Sequence, residues 1–170
     1  MVTRRIVLGA AAFVVVLGGW YAFRPERLFI DTTVNESFDA GPAAANAASA
    51  PTAAPRVLLA GEFHSNAHET SGAATIYEQS SGQRTLRLTN FATSNGPDVR
   101  VYLVAAADVN DDATVKRAGF IELGALKGNQ GDQNYDVPAD VDLSTYRSVT
   151  IWCRRFSVNF GTAPLGGRTD

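Results

Sequence analysis

TLRLTNFATSNGPDVRVYL, residues 85–103, decides the fold class. Its first part alternates Leu86 and Leu88 with Thr85, Arg87 and Thr89, and its last part alternates Val99, Val101 and Leu103 with Arg100 and Tyr102. A period of two puts apolar side chains on one face and polar ones on the other, which is the mark of a half-buried β-strand. Between the two runs, Asn95-Gly96-Pro97-Asp98 supplies turn chemistry. Glycine tolerates positive φ, proline presets φ, and Asn and Asp bond to their own backbone. Two strands with a turn between them are expected here.

The same alternation extends outward. Strands are expected over 57–63, 74–78, 85–91, 99–105, 119–123, 135–137, 148–154 and 156–160, with further turns at Ser81-Gly82, Gly128-Asn129 and Gly131-Asp132. No ten-residue amphipathic run interrupts them, and no internal repeat is present. Short strands at this spacing predict an all-β fold, a single β-sandwich or barrel-like domain over residues 56–165 with a tail at 166–170. About 110 residues suffice for one such core.

Upstream of that domain, residues 6–23 read IVLGAAAFVVVLGGWYAF, an uncharged stretch of 18 residues. As a helix it would cover roughly 27 Å, close to the hydrocarbon thickness of a bilayer. Arg4 and Arg5 precede it, and Trp20 and Tyr21 stand at its far end like interfacial aromatics. A cleaved signal peptide is the alternative, but bulky residues rather than a small-residue cleavage pattern follow the apolar run. An uncleaved single-pass transmembrane helix, residues 1–23, is the expectation. The charge bias across it is slight, Arg4 and Arg5 against Arg24 and Arg27, and favours a domain outside the cytoplasm.

Residues 24–55 connect anchor and domain. The juxtamembrane part, 24–38, shows no clear period. GPAAANAASAPTAAP, residues 41–55, holds 8 Ala and 3 Pro in 15 residues and no charge. Its prolines forbid a continuous helix, so an Ala/Pro-rich semi-extended spacer is expected. Deletion of residues 1–55 should then leave a soluble, folded domain.

Composition removes several function classes. With 15 Lys+Arg against 17 Asp+Glu, a net charge of −2 lacks the basic excess of a nucleic-acid binder. One cysteine, Cys153, excludes an intrachain disulfide, a zinc finger and a multi-cysteine iron–sulfur site. No nucleophile elbow, Walker loop, dinucleotide fingerprint or H-E-x-x-H motif occurs.

Six ordered blocks carry a family resemblance. They are Gly61 with His68-Glu69-Thr70-Ser71-Gly72; Leu86-Arg87-Leu88-Thr89-Asn90-Phe91; Asn95-Gly96-Pro97-Asp98-Val99; Leu123-Gly124-x-Leu126-Lys127-Gly128; Gly131-Asp132-Gln133-Asn134-Tyr135; and Ile151-Trp152-Cys153-Arg154-Arg155-Phe156. Together they span the globular part and resemble the DM13 domain family. The resemblance implies an extracytoplasmic β-rich domain proposed to act in electron transfer, with its cysteine as the suspected redox residue.

Cys153 is accordingly the first candidate site residue. Val149, Ile151 and Cys153 share one strand parity, whereas Phe156, Val158 and Phe160 share the other with Trp152. One straight strand cannot bury both sets in one core. An irregularity between Cys153 and Phe156 is expected to turn Val149, Ile151, Phe156, Val158 and Phe160 all inward. Arg154 and Arg155 would favour a thiolate where they point at the sulfur. A lone cysteine can cycle only through metal or haem ligation, a sulfenic acid or a mixed disulfide. Its alternative role is that of a small buried hydrophobe.

His68 and the weaker His64 are candidate cofactor ligands. In a strand they fall on one side about 13 Å apart, so only a chain turn between them could bring both to one metal. With Cys153 they would compose a His2Cys set of the kind that holds copper in electron-transfer proteins. Neither haem nor copper is specified by the sequence, and two polar strand-edge histidines are the alternative. Asp108 to Asp112 resembles the start of a calcium loop, but Ala113 and Gly119 occupy the positions that need Gly and Glu, so a solvated turn is expected. The amide-rich run 129–134 is expected to be a surface loop. The chain is thus expected to be a membrane-anchored electron-transfer or redox domain centred on Cys153, with a redox protein as partner. The rival expectation is a cell-surface binding or scaffold domain with a structural cysteine; catalysis has the least support.

Overall fold

The computed structural model describes residues 13–15, 17–21, 30–38 and 54–167. Among the described residues, ten strands form two five-stranded sheets, ordered β10-β1-β3-β4-β7 and β2-β9-β8-β5-β6. In chain order they are β1 (Arg56–Glu62), β2 (His64–Ser65), β3 (Ser71–Glu78), β4 (Arg84–Ala92), β5 (Val99–Val104), β6 (Phe120–Ala125), β7 (Gln130–Val137), β8 (Ser148–Cys153), β9 (Val158–Pro164) and β10 (Gly166–Gly167). All strand neighbours within the sheets are antiparallel. The expected all-β sandwich is the fold.

Alternation builds the core. Leu86 and Leu88 of β4 face Val101 and Leu103 of β5 and Val149, Ile151 and Cys153 of β8 across one apolar interior, all of them fully buried. Phe91 also enters that core although its parity is wrong for a regular strand. Asn90, with φ of 49°, supplies the bulge that turns it inward, and the register with β7 shifts between Leu88 and Phe91.

A second cluster lies on the outer face of the β8 sheet. Tyr102, Val104, Val109, Val115 and Trp152 pack there beneath one short helix, α1 (Asp112–Ala118). Asp111 caps it by accepting from the Thr114 N–H at 2.7 Å, and Val115 is its buried residue. At seven residues the helix is too short to announce itself by periodicity. It buries the face of β8 that would otherwise be wet, so all six β8 residues are buried.

Two expectations change. The run 129–134 is no surface loop: from Gln130 it is the first half of β7, with Gln133 fully buried and Asn129 nearly so. In addition, residues 30–38, placed by sequence in the juxtamembrane stretch, lie along the outer edge of β7, where Thr33 bridges Gln130 in parallel. The expected membrane helix over 6–23 lies largely outside the described residues. Residues 13–15 and 17–21 are helical, and among the described residues no helix is long and apolar enough to cross a membrane.

Candidate functional site around Cys153

Cys153 ends β8, the central strand of its sheet, between Val99 of β5 and Val158 of β9. It is fully buried within the sandwich core. The parity conflict in the sequence is resolved by a reversal rather than by a bend in one strand. β8 stops at Cys153, residues 154–157 turn, and β9 returns antiparallel. Ser157 takes a φ of 56° in that turn. A second irregularity falls between Ile151 and Trp152, where β9 skips Phe160 in the pairing and Phe160 drops into the core. Val149, Ile151 and Phe160 are inward as expected, and Val158 packs against them. Phe156 is not: it sits on the turn at 66% exposure, because a turn residue has no sheet face to share.

Arg154, the residue after the cysteine, is directed elsewhere. Arg154 donates from its backbone N–H to Asp98 O at 2.9 Å and from Nε to Asp98 Oδ2 at 2.9 Å, and its Nη1 lies 3.7 Å from Glu122. Arg100 Nε donates to the other Asp98 oxygen at 2.6 Å. Burial pushes the Asp98 carboxyl up, but the hydrogen bonds from Arg100 and Arg154 outweigh it and hold it below the ordinary 3.8. A carboxylate lowered by folding stabilises the fold above its unfolded pKa, and that contribution is lost as pH falls through the folded value. Asp98→Asn is therefore expected to lower stability by about 1 kcal/mol at neutral pH, given partial exposure of the network. The gap between denaturant titrations of the two proteins should begin to close as pH falls below 3.8 and vanish once it passes the lowered folded value. A gap that persists undiminished in acid would show that the charge is not the source.

The histidines occupy a different margin of the same sheet. β2 pairs His64 with Thr162 of β9, and the following loop folds over that edge: Asn66 and His68 N–H groups donate to Phe160 O, and Ala67 N–H to Asn159 O. The chain does turn between the two histidines, but their rings have separate partners. His64 Nε2 lies 2.8 Å from Asp108 Oδ1, and the His68 ring packs on Phe160 at 3.9 Å between centroids. Asp108 also accepts from Val109 N–H and Asn110 Nδ2. Burial raises the Asp108 carboxyl, but these bonds, that of His64 foremost, bring it below its ordinary value.

These placements decide the metal question for the expected His2Cys set. Among the described residues no three His, Cys, Asp or Glu side chains are grouped to hold a metal ion. Cys153 is enclosed by apolar neighbours while the histidines serve Asp108 and Phe160. The residues present do not fit a copper or haem centre built from all three. The acidic loop's carboxylates serve the fold: Asp108 holds His64, Asp111 caps α1, and Asp112 accepts from the Asn159 N–H at 2.7 Å.

Sequence reasoning missed Gln133. Its Oε1 accepts from Lys127 N–H at 3.1 Å, Gly128 N–H at 3.2 Å and the Tyr135 hydroxyl at 2.8 Å, while Nε2 donates to Gly128 O at 2.7 Å. It thereby ties the β6–β7 connection into a fixed loop. The only signal for it was its place in the family-like block 131–135.

Fold and site together define a two-sheet antiparallel β-sandwich with one cysteine sealed at the end of a central strand. A family model described as electron transfer DM13 matches residues 62–165. The chain belongs to the DM13 family. Neither a curated protein nor a solved structure matches it.

Proposed function

We propose that this chain is a membrane-anchored, extracytoplasmic DM13 domain with a role in electron transfer. The family match over residues 62–165 carries that reading. Anchoring is supported by the uncharged stretch 6–23, with arginines before it and Trp20 and Tyr21 at its end. Cys153 is the redox candidate, and its burial sets a condition on it. The sulfur meets a redox protein partner only when the 154–157 turn opens, since a thiol reacts in proportion to its access. His68 and His64 are proposed at most as neighbours of that route along the β9 edge.

A second reading, a cell-surface binding or scaffold domain with a structural cysteine, is favoured by one specific observation: Cys153 has no exposed surface. Thiol labelling of the native full-length protein near neutral pH, with its visible spectrum, separates the two. The redox reading expects Cys153 to label faster than global unfolding allows, or a chromophore that Cys153→Ala removes. Labelling at the unfolding rate with no chromophore assigns the domain to binding. Cys153→Ala is the variant to use, at a cost of about 1–2 kcal/mol for lost packing. Cys153→Ser would strand a hydroxyl in an apolar core and cost about 1–3 kcal/mol.

A further inference from the structure

Residues 31–38 run beside β7 as an extended segment with a backbone ladder of their own. Gln130 N–H donates to Thr32 O at 3.2 Å, Val34 N–H to Gln130 O at 2.9 Å, and Glu36 N–H to Asp132 O at 2.9 Å. Val34, Glu36 and Phe38 are half-buried, and the residues between them are exposed. Glu36 receives two bonds from Lys127 Nζ, at 2.7 and 2.9 Å, and one from the Asn134 N–H at 2.7 Å. The Phe38 ring lies 4.5 Å from that of Tyr77, with the Arg87 guanidinium 5.6 Å above it. Asn129 grips the start of the segment, accepting from Thr32 N–H at 2.7 Å and donating to Asp31 Oδ1 at 2.8 Å. The domain also leaves the segment room: a Cβ on Gly128 would overlap Thr32 O, and one on Gly131 would overlap Val34 O.

Main-chain bonds to a sheet edge, with alternate side chains each in a receiving pocket, are how sheets capture extended peptides. We propose that the outer edge of β7 is a strand-docking site that reads Val-x-Glu-x-Phe, and that a second copy of this chain delivers residues 30–38 to it by strand exchange. The ligand is a segment of this chain itself. The 17 residues from 39 to 55 could span at most roughly 55 Å, farther than the roughly 35 Å breadth of a domain of about 110 residues. Every bond made in cis is available in trans, so exchange loses no contact. The site does not depend on the redox reading.

Two tagged full-length variants test it. One carries Gly128→Val, which closes the groove and leaves the segment intact; the other carries Glu36→Lys with Phe38→Ala, which disables the segment and leaves the groove open. Gly128 has no positive φ, so its substitution acts through the lost space alone, and Gly128→Ala is the milder substitute if thermal melting shows the first to be unfolded. Mixing the two should yield a 1:1 complex, with capture about tenfold above that from like-with-like mixtures. No complex up to about 1 mM would overturn the proposal, because a tether supplies about that effective concentration and a weaker ligand could not stay docked in cis. Equal capture from like-with-like mixtures would overturn it as well.

Discussion

Gln133→Leu should unfold the domain at a temperature roughly 10–15 °C below the parent. The side chain is fully buried and bonds both the N–H and the carbonyl of Gly128, besides serving Lys127 N–H and the Tyr135 hydroxyl. Leucine fills a similar volume, so little cavity forms and the penalty comes from stranded polar groups. Each costs about 1–3 kcal/mol when buried and unpaired, for a total of about 4 kcal/mol. Tyr135→Phe removes one hydroxyl from the same network and should cost only about 1 kcal/mol. Calorimetry on both variants decides the matter; similar small losses in each would mean that the loop is held by something other than Gln133.

Gly61→Ala should cost about 3 kcal/mol for a single methyl group. A Cβ there would overlap the carbonyl oxygen of Pro164 and come within 2.8 Å of its carbon, both backbone atoms at the end of β9. Backbone cannot rotate aside as a side-chain tip can, so β1 must shift away from β9 and loosen the contact between the sheets. Gly167→Ala is the control: nothing lies within 4 Å of its Cβ position, and its effect should stay within about 0.5 kcal/mol. Urea titration of the pair measures the difference, and equal midpoints would refute the steric argument.

Much of this architecture was legible because alternation and burial coincide. Leu86 and Leu88, and Val99, Val101 and Leu103, occupy the core that their period announces. The sequence hid what breaks that correspondence. Gln130 to Gln133 pair as a strand although amides and glycine give no apolar rhythm, because the buried Gln133 satisfies a loop instead of filling space. Phe156 counts as a core residue by parity but not by position, since parity has no meaning across a turn. β2 and β10, two residues each, are too short for any period. Thr32, Val34, Glu36 and Phe38 do alternate, but only one of the four is an aliphatic residue, so the rhythm was overlooked. For the site, Cys153 was found as a residue and its environment was not. Whether two arginines face a sulfur is decided by the turn, which hands Arg154 to Asp98 and Glu122.

The covered edge of β7 also bears on how this domain should be handled. An open sheet edge presents unpaired N–H and C=O groups to any passing chain and is a common origin of aggregates. The margins of the two sheets are β10 and β2, of two residues each, β6, which carries Glu122 and a bulge opposite Val101 and Tyr102, and β7. At eight residues β7 is the longest of them, and residues 30–38 lie along it. A fragment cut at residue 56, the boundary that composition suggests, would bare that margin together with Gly131 and the preceding Gly128. Such a fragment is expected to fold but to self-associate through that edge, which reverses the expectation of a soluble domain after deletion of residues 1–55. One begun at residue 30 carries its own edge guard.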